Sequence, residues 1–126
     1  MESQQGEPVP IALARYADQF AALGSEARLG ILRLLLAAHP RGMVVGELQQ
    51  ELAMAPSTLS HHLERLKTEG LIVSAREGTF LRYTAHDVEL RNLLAFLWAE
   101  CCSRNRPLAP EDVLACCGDP NATCAS

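Results

Sequence analysis

Apolar side chains recur along the first third of the chain at helical spacing. Val9, Leu13, Tyr16, Phe20 and Leu23 follow one another in alternating steps of four and three. That is a seam of two heptad repeats, and its alanine-rich flanks keep it narrow. A terminal helix with so narrow a stripe is predicted to pack against a partner helix. Gly24-Ser25 then interrupts the pattern, with Ser25 placed to cap the next helix and Glu26 in its first turn. From Glu26 to Ala38 the chain carries Leu29, Ile31, Leu32, Leu34, Leu35 and Leu36. A helix apolar on nearly all sides is expected in the core. His39-Pro40-Arg41-Gly42 ends it as a loop, and His39 is expected to be solvated.

The middle of the chain carries a different pattern. Val45, Leu48 and Leu52 predict a short helix, and the three-residue link Ala53-Met54-Ala55 joins it to a second one over Pro56 to Gly70. Proline suits the first turn of a helix, and glycine suits the left-handed residue that closes one. Leu59, Leu63 and Leu66 form an apolar back. Ser57, Ser60, His61, Glu64 and Thr68 lie on the opposite side, a small, hydroxyl-rich front suited to phosphates and base edges. Two short helices so tightly joined read as a helix-turn-helix. The next stretch, LIVSAREGTFLRYT, is rich in β-branched and aromatic residues and is broken at Glu77-Gly78, as in a β-hairpin. The predicted fold is mainly α with a small β-hairpin, a winged helix-turn-helix.

The text from Val45 to Thr84, VGELQQELAMAPSTLSHHLERLKTEGLIVSAREGTFLRYT, resembles the ArsR/SmtB family of bacterial repressors. Ser57-Thr58-Leu59-Ser60-His61-His62-Leu63 is the most specific part, and the likeness extends more weakly from about Ala12 to Cys102. The resemblance implies a homodimer paired through the first and last helices. It also implies double-stranded operator DNA as partner, with base or phosphate contacts at Ser57, Thr58, Ser60 and His61. Arg65 is grouped with them as a cation of the same helix, and Arg76 and Arg82 on the hairpin strands are candidates for flanking phosphates or the minor groove. His61 and His62 diverge by about 100° on the helix, which makes them poor co-ligands for one ion.

Charge qualifies this picture. The 126-residue chain has a net charge of −4. Residues 107–126 hold Glu111, Asp112 and Asp119 and no Lys or Arg, and without them 11 basic side chains face 12 acidic ones. The predicted DNA-facing stretch has Arg65, Lys67, Arg76 and Arg82 against Glu64, Glu69 and Glu77. So weakly basic a patch predicts modest non-specific affinity and reliance on backbone and hydroxyl contacts. No apolar run is long enough to span a membrane and no signal-peptide pattern is present, so the expected location is cytoplasmic.

The last predicted helix runs over HDVELRNLLAFLWAECCSRNR, with Asp87 as cap and Arg104 and Arg106 at its end. Leu90, Leu94, Leu97 and Cys101 form its stripe, flanked by Leu93, Trp98 and Cys102. Residues 1–106 thus form the DNA-binding and dimerisation domain, and 107–126 a cysteine-containing tail. All five cysteines, at 101, 102, 116, 117 and 124, fall in the last fifth of the chain. Clustered cysteines in a cytoplasmic protein point to metal binding or redox sensing, and their spacing fits neither a zinc ribbon nor a C-x-x-C redox motif. Adjacent thiolates select soft centres, and the nearby arginines favour the thiolate.

The expected inducer is therefore trivalent arsenic, as arsenite or an organoarsenical, with antimonite as an alternative, held by Cys101 and Cys102, with Cys116 or Cys117 as third ligand. No catalytic cofactor is expected. The resemblance narrows the choice further. Residues 43–54 lack the cysteines that several relatives use, and the histidines of the zinc-sensing type are absent although Asp87, Glu89 and Glu100 remain. The nearer rival reading is a repressor of the same fold sensing oxidants or reactive sulfur through its thiols. The farther one is a thiol-dependent enzyme such as an arsenate reductase, for which no nucleophile with a placed base is visible.

Overall fold

The computed structural model describes residues 9–104. Five helices and three short strands follow in the order α1 (Val9–Leu23), α2 (Glu26–Ala37), β1 (Met43–Val44), α3 (Val45–Leu52), α4 (Pro56–Thr68), β2 (Ile72–Glu77), β3 (Phe80–Ala85) and α5 (Asp87–Trp98). The described residues divide into one unit up to Asp87 and a second from Val88 onward. The expected tail over 107–126 lies outside them, as do Cys116, Cys117 and Cys124. No described helix is long and apolar enough to cross a membrane.

In the first unit Ser25 caps α2 as its side-chain oxygen accepts from the Arg28 amide at 3.3 Å. Ile31, Leu32 and Leu35 are buried, but Leu29 and Leu36 are 45% and 41% exposed, so α2 buries one face and is not enclosed all round. The leucines that broaden its stripe have no covering element within the unit.

On α1 the seam also divides. Tyr16 is buried together with Ala12, Gln19 and Ala22, whereas Val9, Leu13 and Phe20 are exposed along one side of α1 and Ile11 is exposed on another. The small residues let α1 approach its own core, and the larger ones are left outside.

The helix-turn-helix and the wing form as the pattern predicts, with two differences. The hairpin turn is Gly78-Thr79, one residue later than expected, because Glu77 pairs with Phe80 as the last rung of the ladder. Gly78 has φ +61° and takes the first central position, where a two-residue hairpin turn calls for positive φ. The second difference is β1. This two-residue strand pairs antiparallel with β3, Met43 opposite Tyr83 and Val44 opposite Arg82, giving a three-stranded sheet in the order β1-β3-β2. So short a strand leaves no periodicity to read.

Gly42 makes that pairing fit. Its φ is +78°, and a Cβ there would collide with the Tyr83 carbonyl oxygen and the Thr84 methyl. Gly70 has the same φ but open space around it. Gly42→Ala should therefore cost about 2–4 kcal/mol of unfolding free energy, and Gly70→Ala only the left-handed penalty of about 1–2 kcal/mol. Urea denaturation of the two variants measures both. Equal losses would show that the close approach at Gly42 has no energetic weight.

Candidate DNA-reading face and terminal thiol pair

Helix α4 is held so that one face is committed to the core. Leu59, Leu63 and Leu66 are all buried. Pro56 occupies the first turn, where no amide donor is needed. At the other end Gly70 donates to Lys67 at 2.9 Å and Leu71 donates to Leu66 at 3.1 Å. This is a Schellman closure, and Leu66 and Leu71 are both fully buried. The buried Gln19 side chain of α1 donates through Nε2 to the Glu69 carbonyl at 2.9 Å, satisfying one of the carbonyls the helix end leaves over.

The opposite face of α4 is open. Ser57, Thr58, Ser60 and His61 are exposed, as are Glu64, Lys67 and Thr68. Arg65 is half-buried, and its Nε lies 3.9 Å from Glu69 Oε2. Between α3 and α4 the chain turns at Ala53 in the left-handed region, φ +50° and ψ +47°. No glycine marks that turn, and Ala accepts a local cost there.

His61 and His62 separate as their positions imply, their ring centroids 6.0 Å apart. His62 is half-buried against Arg28, whose Nη1 sits 3.3 Å from His62 Nδ1. That guanidinium also donates through Nε to the Ala22 carbonyl at 2.6 Å, so Arg28 ties the end of α1 to α2 and α4. Burial first, then the Arg28 charge and then His61, hold the His62 pKa below the usual imidazole value of 6.5.

The wing places its two arginines on opposite faces. Arg76 pairs across the ladder with Leu81, in line with Ile72 and Tyr83, and is exposed toward the tip. Arg82 pairs with Ala75 on the other face. Its Nε lies 2.8 Å from Glu77 Oε2, its Nη1 donates to the Gly42 carbonyl at 3.3 Å, and its side chain is only 16% exposed. Arg82 thus fastens the wing to the strand that enters α3, while Arg76 faces solvent. Sequence reasoning passed over two exposed residues of this surface. Lys67 continues the open face of α4, and Phe80, 63% exposed, follows the wing turn. Lys67 entered only the charge balance of the stretch, and Phe80 only the strand pattern, because periodicity cannot see which faces lack a cover.

In the second unit Leu90 and Leu93 are buried, and Leu94, Leu97 and Trp98 are exposed with Val88. The helix stops earlier than expected, at Trp98. Cys101 and Cys102 lie beyond it in turns where Cys101 N–H bonds the Trp98 carbonyl and Ser103 N–H bonds the Glu100 carbonyl. Cysteine, serine and asparagine are weak helix formers, and the Ser103 hydroxyl bonds the Glu100 carboxylate at 2.9 Å. Arg104 therefore falls outside the last turn of α5, and Arg106 lies outside the described residues.

The helix itself begins at Asp87 rather than after it, and His39 is exposed as expected, its Nε2 3.8 Å from the Asp87 carboxylate. The two thiols are half-buried with their sulfurs 3.4 Å apart, well beyond the ~2 Å of a disulfide bond. Among the described residues no three His, Cys, Asp or Glu side chains converge on a point where a metal ion could sit.

Residues 23–75 match a helix-turn-helix domain family. An HTH-type transcriptional regulator of Methanocaldococcus jannaschii, MJ1325, is 36% identical over 78 residues, covering 62% of this chain and 85% of that protein. The transcriptional activator HlyU of Vibrio cholerae is 33% identical over 85 residues, covering 68% and 76%. An ArsR-like transcriptional regulator from Rhodococcus superposes with a TM-score of 0.65 at 28% identity, over 75% of this chain and 87% of that one. The homodimeric winged helix-turn-helix DNA-binding domain Mb0332 of Mycobacterium bovis does so with 0.58 at 28%, over 82% and 98%.

Fold, open α4 face and relatives together define a winged helix-turn-helix transcriptional regulator, not an enzyme. The chain belongs to the ArsR/SmtB family of these regulators.

Two outcomes follow from this geometry. Because the folded-state pKa of His62 is depressed, its contribution to stability is fully present above the unfolded value of about 6.5 and is lost as pH falls through the lower folded value. Thermal melts between pH 7.5 and 5 should show wild type losing stability on the acid side and His62→Gln losing less. An identical slope in both would remove His62 from the account. In salt titrations of DNA binding, Arg76→Ala should lower the salt slope by about one counterion. Arg82→Ala should instead lower the melting temperature, through the lost tie between Gly42 and Glu77. A reversed assignment would mean that the wing turns its other face to the phosphates.

Proposed function

We propose that the chain is a homodimeric repressor that holds a palindromic operator and releases it when trivalent arsenic binds Cys101 and Cys102. The observation that carries this reading is the pair of adjacent thiols, 3.4 Å apart, immediately beyond the end of α5. Two neighbouring sulfurs suit a soft, thiophilic centre. The described residues fit a two-sulfur ligand, such as a trivalent arsenical bearing one organic group. Arsenite or antimonite would take a third sulfur, for which Cys116 and Cys117 are the candidates. Arsenic acts here as the effector, and the protein supplies thiolates and a helix end whose position depends on them.

Homodimerisation is supported by two exposed apolar rows. Val9, Leu13 and Phe20 lie along one side of α1, and Leu94, Leu97 and Trp98 lie along one side of α5. Rows of this kind are normally covered by a partner. The relative Mb0332 is a homodimer, and a two-fold protein of this fold reads half-sites about 34 Å apart. In this scheme Cys101 is bonded through its backbone to Trp98, at the end of the α5 row. Ligand binding at the thiols shifts that row, and with it the spacing of the two α4 helices. A coupling of about 1–3 kcal/mol between effector and operator accounts for release.

The same 3.4 Å separation favours one second reading, oxidation. Two thiols lose two protons and two electrons to a peroxide, which is reduced to water, and a disulfide forms. The protein would then sense oxidants through one pair of atoms. Fluorescence anisotropy on the promoter of its own gene separates the readings. Methylarsenite and arsenite should release wild type but not Cys101→Ser or Cys102→Ser. Cys116→Ser and Cys117→Ser should blunt arsenite and leave methylarsenite unaffected if the tail supplies the third sulfur. Release by peroxide, reversed by dithiothreitol and with no response to arsenicals, would replace the arsenic reading by the redox one.

A further inference from the structure

We propose that Glu64 is a base-reading residue of α4, its carboxylate accepting a hydrogen bond from the exocyclic amine of a cytosine in the major groove. The inference rests on α4 being the helix that enters DNA, and it concerns an acid that the expected contact set leaves out. With about 100° between successive residues, the direction opposite Leu59, Leu63 and Leu66 is shared by Ser57, His61, Glu64 and Thr68. All four are exposed. Glu64 is the acid of that group and stands among two hydroxyls and an imidazole.

Helix stability does not account for it. An acid favours a helix in the first turn, and Glu64 is the ninth residue of thirteen. Its neighbours four residues away are Ser60 and Thr68, and Lys67, three residues on, forms no ion pair with it. The nearby Arg65 faces Glu69, and no cation among the described residues lies within ion-pair distance of Glu64. The charge does reach Tyr83, where it adds to burial in raising the phenol pKa, so the carboxylate stands within electrostatic range of the central strand. An ionised carboxylate on a DNA-facing surface is repelled by phosphates, in a stretch that is only weakly basic to begin with. A donor on a base edge can offset that repulsion.

Base chemistry then selects the partner. Guanine presents two acceptors in the major groove and thymine one, and both repel a carboxylate. Adenine offers an amine, but its N7 acceptor lies beside it and suits an amide that both donates and accepts. Cytosine offers the amine from N4 with no acceptor on its own edge, and this is the base that Glu and Asp read. Glu64 therefore both favours one base and disfavours others, and its repulsive side contributes to specificity.

The test is selection of binding sites from random duplex DNA at one fixed salt concentration, with wild type, Glu64→Gln and Glu64→Ala. Thermal melts should be alike in all three, because the side chain is exposed. Wild type should select a cytosine at one position in each half-site, and both variants should lose that preference while keeping the rest of the consensus. Exchanging this C·G for T·A should weaken wild type roughly tenfold and Glu64→Ala by less than about twofold. Both variants should bind non-specific DNA more tightly than wild type. An unchanged consensus in Glu64→Ala would overturn the assignment. A wild type that selects no sequence would instead overturn the operator-binding reading beneath it.

Discussion

The surface this molecule turns toward DNA depends on the burial of Leu59, Leu63 and Leu66. Each is worth about 1.5–3 kcal/mol when withdrawn from water. The sum far exceeds what helix propensity gives a thirteen-residue segment, which alone would be marginal in water. The leucines thus form the helix and also fix its rotation, since turning it by one residue would swing all three about 100° from the core. The closure at Gly70 and the Gln19 contact to Glu69 act on the same element, fixing its end where the leucines fix its face. Serines and a histidine on the far side are then presented at set angles without any constraint of their own.

This arrangement has an electrostatic consequence. Arg28 and Arg82 are cations by sequence, yet each is engaged within the fold, on Ala22 and His62 and on Glu77 and Gly42, and Arg65 keeps 41% of its side chain exposed 3.9 Å from Glu69. Lys67 and Arg76 remain exposed on the reading helix and the wing. Each phosphate contact contributes one increment of salt-dependent affinity. A surface with so few exposed cations gains little from non-specific binding, and more of its operator affinity must come from base edges and backbone amides. The neutral state of His62 fits the same economy, because a second positive charge against Arg28 would strain the junction that orients α4.

The elements with long hydrophobic periods were legible from sequence because period and burial report the same thing. Leu59, Leu63 and Leu66, the Pro56 start, the Gly70 end and the Ser25 cap all needed local information alone. What was not legible depended on what lies across from a residue. β1 exists because Gly42 lets two residues lie against Tyr83, and nothing at Met43-Val44 announces it. Arg76 and Arg82 look equivalent on a hairpin until the register places them on opposite faces. The α1 seam was visible as a stripe, but its division into a buried Tyr16 and an exposed Leu13 depends on the size of Ala12 and Ala22. The end of α5 was misjudged because the apolar stripe continues to Cys101, whereas Cys101, Cys102 and Ser103 are weak helix formers that do not extend a helix ending at Trp98. The contact roles of the α4 residues and of the thiols come from chemistry and resemblance.

The early end of α5 bears on how an effector site at Cys101-Cys102 would work. Thiols inside a regular helix would be held by successive backbone hydrogen bonds, and a ligand drawing them together would have to break that ladder. In the turns after Trp98 the backbone is held by single three-residue bonds, from Cys101 to Trp98 and from Ser103 to Glu100, and Cys102 already lies at φ +63°. Such segments belong to the low end of local stability, where a few kcal/mol suffice to rearrange them. Ligand energy at the sulfurs would then go into moving the last turn, with Leu97 and Trp98 exposed beside it, while Leu90 and Leu93 stay buried. In the proposed dimer, a site built there would separate sensing from the leucine-backed helix α4, so that a signal would change the spacing between the two copies of α4 and leave each one intact.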